Sequence, residues 1–214
     1  MPTIRTIPPG SKTAAVLELA RAGLVRPRDL AERGIPRSYL GRLIQRGVLE
    51  QVDRGLYRLV DAPATELHSI AQVAKRAPHA VIALLSALQI HGLTTELPHA
   101  VWILLDRKAR VPKIDQPRLE IVRASGAAYE SGVETRVIEG VPARITTPAK
   151  TVADCFRYRR HVGLDVALAA LREYLRTRSR RTARAGASPI DELVAAANAD
   201  RIYSVLRPYL EALA

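Results

Sequence analysis

The stretch Gly23–Val60 reads GLVRPRDLAERGIPRSYLGRLIQRGVLEQVDRGLYRLV, and it predicts a short helix, a turn, a second helix and two strands. Pro27 suits the first turn of a helix because that position needs no backbone N–H donor. Gly34 suits the left-handed residue that ends such a helix. Pro36 then begins a second helix that is expected to run to about Arg46.

The second helix separates apolar side chains from polar ones. Leu40, Leu43 and Ile44 recur at helical spacing and predict the face that packs on a core. Beyond Gly47, two apolar segments flank Asp53-Arg54-Gly55, a turn sequence typical of a β-hairpin. Helix, turn, basic helix and basic-tipped hairpin is the order of a winged helix-turn-helix, whose second helix enters the major groove of DNA.

The side chains outside the predicted core are of types that contact phosphates or base edges. Because several of them share one short helix, we favour DNA binding over a solvated helix face, where arginine is also common. The hairpin adds two arginines where a wing would touch the flanking DNA backbone. The candidate DNA-binding residues are Arg37, Ser38, Tyr39, Arg42, Gln45, Arg46, Arg54 and Arg58.

Composition limits the class of partner. The chain of 214 residues has a formal net charge of +12, which favours a polyanion, although an acidic protein or membrane surface would satisfy the same charge. Aromatic residues make up only 4%, which argues against base stacking on single strands. The single cysteine, Cys155, excludes an intrachain disulfide. Neither a signal peptide nor a membrane-spanning segment is recognisable, so a cytoplasmic protein is expected.

The rest of the chain predicts a second domain. Asp61-Ala62-Pro63 marks the expected boundary between a winged helix at 1–62 and a domain at 63–214. In that domain the apolar pattern predicts a buried helix over Val81–His91, a mixed or antiparallel sheet of about four strands from Ala100, and helices to the end. The fold class is therefore α/β, in the α+β sense, with a small sheet.

Catalytic chemistry finds little support in the sequence. The five histidines lack ligand spacing, and Cys155 lies among apolar residues like a buried small hydrophobe. Asp154 is expected to anchor an arginine across the domain. The alternative of a nuclease would place a metal near Asp106, Asp115 and Glu120, yet no lysine follows Glu120 on its strand. We therefore expect no catalytic residue, no cofactor and no metal.

Two further basic segments lie outside the predicted winged helix. One is a proline-broken loop that extends the DNA contact, binds an acidic partner or only aids solubility. The other is an arginine-rich stretch from Arg176 to Arg184 to which the sequence assigns no role. The loop's candidate residues are Arg107, Lys108, Arg110 and Lys113.

Several segments resemble the AbiEi family of antitoxins. RDLAERGIPRSYLGRLIQRGVLEQVDRGLYRL, residues 28–59, is similar to that family's N-terminal domain. VIALLSALQIHGLTTELPHAVWILLDRK and TTPAKTVADCFRYRRHVGLDVALAALREYL, residues 81–108 and 146–175, look like its C-terminal domain. The pairing of the helix-turn-helix with TPAKTVADCF and GLDVALAAL makes the resemblance fairly specific.

The resemblance implies the antitoxin half of a bacterial toxin–antitoxin pair, often described as type IV. The winged helix would bind operator inverted repeats in double-stranded DNA upstream of its own operon and repress it. The C-terminal domain would counter a nucleotidyltransferase-like toxin, directly or indirectly. The alternative is a stand-alone winged-helix transcriptional regulator whose second domain senses a ligand or dimerises.

Overall fold

The computed structural model describes residues 8, 10–62, 66–179 and 188–213. It contains an N-terminal unit of helices and one hairpin, followed by a larger unit of helices around a sheet, so the fold is mixed α/β as predicted. Pro63 of the expected boundary and residues 180–184 of the arginine-rich stretch lie outside the described residues.

The N-terminal unit is a winged helix-turn-helix. Its hairpin strands pair antiparallel, and Val25 and Tyr57 exchange backbone hydrogen bonds of 2.9 Å in an additional bridge. The Ser11 side chain caps the first helix by accepting from Ala14 N at 3.1 Å. The elements are α1 (Lys12–Ala22), α2 (Pro27–Ala31), α3 (Ser38–Gln45), β1 (Leu49–Asp53) and β2 (Leu56–Leu59).

Helix α3 is shorter than the sequence predicts. It begins at Ser38 because the carbonyls of Pro36 and Arg37 accept from residues three positions ahead, which makes the entry a tight turn. The helix packs on a core that belongs to this unit alone. That core consists of Val16, Leu17, Ala20, Val25, Leu30, Ile35, Leu40, Leu43, Leu49 and Tyr57.

The second unit is built on a five-stranded mixed sheet. Its spatial order is β5-β4-β3-β7-β6. The β4–β5 and β3–β7 pairs are parallel, and the β3–β4 and β6–β7 pairs are antiparallel. The strands are β3 (Val81–Ile82), β4 (Val101–Asp106), β5 (Leu119–Ala124), β6 (Val133–Ile138) and β7 (Val141–Thr146).

The central strand β3 corrects two predictions. The expected helix over Val81–His91 is a two-residue strand followed by a helix from Leu84, and the sheet has five strands rather than about four. Val81 and Ile82 are buried on both faces of the sheet, so their apolar character does not distinguish a strand from a buried helix. Their pairing partners in β4 and β7 are distant in sequence and leave no local signal.

Eight helices accompany the sheet in the described part of this unit. Thr147 caps the helix that begins at Pro148, as predicted. None of the helices described is long and apolar enough to cross a membrane. They are α4 (His68–Arg76), α5 (Leu84–His91), α6 (Ala127–Glu130), α7 (Pro148–Arg157), α8 (Arg159–Val162), α9 (Leu164–Ser179), α10 (Pro189–Ala199) and α11 (Tyr203–Leu213).

Each face of the sheet packs on a different layer. Successive strand residues point to opposite faces, so Val81 and Leu104 join an apolar cluster with α5, α7, α9, α10 and α11. Ile82 and Ile103 join a second cluster with α4. That second cluster also includes Leu24 and Leu56 of the winged helix. The winged helix therefore forms part of the layer that covers this face of the sheet.

Two glycines bring the backbones of the two units together. A Cβ on Gly140, in the turn between β6 and β7, would lie 1.1 Å from the carbonyl oxygen of Ala22. A Cβ on Gly23 would lie 2.0 Å from the carbonyl oxygen of Glu139. Because neither position has room for a side chain, glycine is required at this contact.

Ion pairs hold the same junction. Asp29 accepts from Lys75 Nζ at 2.9 Å and from Arg26 Nη2 at 3.1 Å, and Arg26 also donates to the carbonyl of Lys75. Burial alone would raise the pKa of Asp29, but the hydrogen bonds from Lys75 and Arg26 lower it below its ordinary value. Arg76 pairs with Asp53 of the hairpin. The winged helix is thus fixed to α4 by charge as well as by apolar packing.

A buried charge cluster joins α7 to the end of α10. Lys150 Nζ donates to Asp154 Oδ1 and, at 2.8 Å, to Asp200 Oδ1, and all three side chains are at most 2% exposed. The prediction that Asp154 anchors an arginine is wrong, because Lys150 one turn earlier on the same helix is its partner. Arg157 donates instead to the backbone carbonyl of Asp200 at 2.6 Å.

In this cluster the Lys150 ammonium group contacts two aspartate side chains, and all three groups are shielded from solvent. Burial and the neighbouring Asp200 raise the pKa of Asp154 to about 8, although Lys150 opposes the shift. Burial would lower the pKa of Lys150, but the two carboxylates outweigh it and raise that pKa. The folded state therefore keeps a proton at Asp154 over a pH range in which the unfolded chain releases it.

We expect the free energy of unfolding of the wild type to decrease, relative to that of an Asp154→Asn variant, as pH rises from 5 to about 8. Between the ordinary pKa of 3.8 and the folded value of about 8, only the folded state binds this proton. The free energy of unfolding of the wild type therefore decreases, relative to that of the variant, by at most about 1.4 kcal/mol per pH unit. Urea denaturation followed by circular dichroism measures it.

The matched control is Asp191→Asn, which changes an exposed aspartate on α10. Its free energy of unfolding should follow that of the wild type at every pH. Parallel pH curves for the wild type and Asp154→Asn would contradict the assignment of the buried proton.

Candidate nucleic-acid interface

Helix α3 has one face in the core and the other in solvent. Leu40 and Leu43 are 1% and 2% exposed, and Ile44 packs partly buried against the same cluster. These contacts fix the rotation of the helix about its axis, so its remaining side chains point outward. Of the predicted DNA-binding residues on this helix and at its ends, Tyr39 is half-buried and the exposed ones are Arg37, Ser38, Arg42, Gln45 and Arg46.

Arg42 stacks on Tyr39. The guanidinium carbon lies 5.2 Å from the centroid of the tyrosine ring, within the range of a cation–π contact. Stacking uses the flat face of the guanidinium and leaves its N–H groups in the plane, where they match the two acceptors of a guanine edge or a phosphate. Arg42 is therefore exposed to solvent with its guanidinium over the ring of Tyr39.

The hairpin tip presents one exposed arginine. Arg54 is exposed, and its backbone N–H donates to Asp53 Oδ1 at 2.5 Å. Gly55 has a φ of +70°, which the tight turn requires. The other predicted wing residue, Arg58, lies on β2 and forms an ion pair with Glu50 of β1. Of the two, Arg54 is the arginine that the tip holds out to solvent.

Arg76 connects the hairpin to the basic loop of the second unit. It pairs with Asp53 of the hairpin and donates to the backbone carbonyl of Lys113 at 3.4 Å. The structure thereby brings the hairpin next to the loop that carries the possible secondary surface. All four residues of that surface, Arg107, Lys108, Arg110 and Lys113, are exposed.

The loop has a defined backbone. Arg123 Nη1 donates to the carbonyls of Asp106, Arg107 and Ala109 at 2.9, 3.0 and 3.0 Å. Asp106 Oδ1 accepts from the backbone N–H of Lys108 at 2.8 Å. Ala109 and Ile114 pack against the cluster that also contains Leu56 of the hairpin. The basic side chains of the loop therefore project from a backbone that is fixed on both sides.

Two of the three acidic residues of the nuclease alternative have other local partners. Asp106 holds the turn just described, and Glu120 pairs with Arg118 at 3.1 Å. Over the described ranges, no group of three or more His, Cys, Asp or Glu side chains is positioned to hold a metal ion. Near β4 and β5, Asp106 therefore stabilises the turn of the loop, and Glu120 pairs with a neighbouring arginine.

Arg76 is a residue that sequence reasoning does not single out. At the end of α4 it reads as an ordinary helix-terminal arginine, which complements the helix dipole. Its partners, Asp53 and the carbonyl of Lys113, lie 23 and 37 residues away in sequence. Only the docking of the winged helix on α4 reveals that Arg76 joins the two basic segments.

Comparison with known proteins bears on both units. Residues 15–60 match the family model described as "Transcriptional regulator, AbiEi antitoxin". A crystal structure of the RV2827C protein from Mycobacterium tuberculosis has a similar fold, with a TM-score of 0.55 and 17% sequence identity over 97% of this chain and 82% of that chain. At this identity the likeness concerns the fold alone. No curated protein matches the chain.

The segment that matches the family model runs from α1 through β2. It includes α3, the hairpin and all eight predicted DNA-binding residues. The match confirms, for this part of the chain, the resemblance inferred from the sequence. Over residues 15–60 the chain is similar to the AbiEi antitoxin family of transcriptional regulators.

Proposed function

We propose that this protein is a cytoplasmic antitoxin that binds operator DNA through α3 and the hairpin, represses its own operon and counteracts a nucleotidyltransferase-like toxin. The observation that carries the DNA-binding part is the outward face of α3. Residues of the types that read DNA are exposed there, and buried leucines hold the helix from behind. The regulator family of residues 15–60 supports the same conclusion.

The size of α3 suits the major groove. With its side chains an α-helix such as α3 is about 10–12 Å in diameter, which fits the major groove of about 12 Å. In this arrangement Ser38, Arg42 and Gln45 face base edges, and Arg37 and Arg46 at the two ends reach the flanking phosphates. Arg54 at the hairpin tip contacts the backbone beside the groove, as a wing does.

The basic loop extends the proposed footprint onto the second unit. The contact from Asp53 through Arg76 to Lys113 sets the loop beside the hairpin. Arg110 and Lys113 then add phosphate contacts on the same side as Arg54. Because Arg123 holds the loop backbone at Ala109 and Arg76 contacts it at Lys113, these contacts require little ordering of the loop backbone when DNA binds.

The antitoxin part of the proposal rests on the family, and its alternative is a stand-alone regulator. Both share the DNA interface and differ in the task of the second unit. The identity of the adjacent reading frame distinguishes the antitoxin from the stand-alone regulator, because a nucleotidyltransferase-like neighbour is expected only for an antitoxin. Growth rescue on co-expression with that neighbour would then test toxin neutralisation directly.

We expect the protein to bind a duplex from its own upstream region about a thousandfold or more tightly than a scrambled duplex. Fluorescence anisotropy with both duplexes, over a range of salt concentrations, measures the preference. Equal and steeply salt-dependent binding to both duplexes would rule out operator recognition and leave only a charge-driven contact.

The variant Arg42→Ala should lose about 1–3 kcal/mol of binding free energy on the upstream duplex if Arg42 reads a base. The loss on the scrambled duplex should be smaller. Arg172→Ala is the matched control, because Arg172 is exposed on α9 in the layer on the far side of the sheet. Unchanged affinity of Arg42→Ala for the upstream duplex would remove Arg42 from the interface.

Replacing Arg110 and Lys113 together by alanine should flatten the salt dependence of binding. The log–log slope should fall by about 0.9 for each phosphate contact that is lost, with little change in the preference for the upstream duplex. The double variant Arg172→Ala and Arg207→Ala, at two exposed positions on α9 and α11, controls for net charge. An equal change in slope for both double variants would reduce the loop's role to bulk charge.

A further inference from the structure

One exposed residue of α3 has no role within the described chain. Gly41 lies in the interior of the helix, three residues after Ser38 and four before Gln45, and faces solvent. A Cβ placed on Gly41 would meet no atom within 4 Å. Neither core packing nor a close contact of the kind seen at Gly23 and Gly140 therefore explains the glycine.

Backbone conformation does not explain it either. The ten other glycines of the described residues all have a positive φ, the region that glycine adopts more readily than other residues. Of the eleven described glycines, Gly41 is the one whose φ is not positive. Glycine is also the least favourable residue, apart from proline, in a helix interior. Within the described part of the chain, no contact of Gly41 offsets this cost in the eight-residue helix α3.

The position of Gly41 points to the duplex. Residues three and four apart share a helix face, so Ser38, Gly41 and Gln45 lie together on the side of α3 opposite the buried leucines. Glycine leaves a gap there, in which the helix backbone is open to an approaching surface. The short Ser38 side chain reaches a base edge only if that backbone comes close.

We propose that Gly41 is a positioning residue at which the backbone of α3 comes into van der Waals contact with duplex DNA. The proposal rests on the DNA-binding function proposed above and specifies how closely the helix enters the groove. A side chain at position 41 would hold the helix away from the bases by at least the thickness of a methyl group. The hydrogen bonds of Ser38 and Gln45 would then lengthen and weaken.

The test compares Gly41→Ala and Gly41→Leu with the wild type. Alanine and leucine are both strong helix formers, so each variant should unfold at a higher temperature, with Tm for alanine raised by about 2–4 °C. Affinity for the upstream duplex should nevertheless fall about tenfold or more for alanine, and further for leucine. Affinity for a scrambled duplex, where the helix need not seat deeply, should stay within about twofold of the wild type.

The matched control is Ala195→Leu, which adds bulk at an exposed position of α10. It should bind the upstream duplex like the wild type. Wild-type affinity of both Gly41 variants for that duplex would overturn the proposal while leaving operator binding intact. Loss of affinity together with a lower Tm would assign Gly41 to folding and also overturn it. A wild type without preference for the upstream duplex would overturn the proposed function, and this proposal with it.

Discussion

The contact between Gly23 and Gly140 determines how the whole molecule is assembled. Two backbones meet there without side chains between them, which lets Leu24 and Leu56 complete the apolar layer on the sheet. The ion pairs of Asp29 and Asp53 with α4 then fix the winged helix to α4. These contacts set the position of α3 relative to the basic loop, so the two basic surfaces have a defined arrangement in the fold.

A second constraint acts inside the larger unit. The cluster of Lys150, Asp154 and Asp200 ties α7 to the end of α10, so the helices after the arginine-rich stretch are part of the core. Replacing Lys150 or Asp200 would leave the charge of the other buried without its partner, which is strongly destabilising. The sheet, through α7, therefore depends on the C-terminal helices, just as its other face depends on the winged helix.

Local signals explain what the sequence could predict. Pro27, Gly34 and Gly55 act on their own neighbourhood, and the winged helix and its outward residues follow from them. Strand β3, the pairing of Lys150 with Asp200 and the contacts of Arg76 depend on residues far away in the chain, for which periodicity carries no information. The same holds for Arg58, whose pairing with Glu50 becomes clear only once the strand register is known.

The burial of Cys155 has a practical consequence. The chain's single thiol lies in the core beside α9 and α10, is 0% exposed, and burial raises its pKa. Alkylating reagents react with the thiolate form of cysteine, so Cys155 does not react with them while the core is closed. The rate of alkylation then reports the opening of that core directly. Because Cys155 is the chain's single cysteine and is buried, a cysteine introduced on the surface would be the one site that a thiol-reactive probe labels in the folded protein.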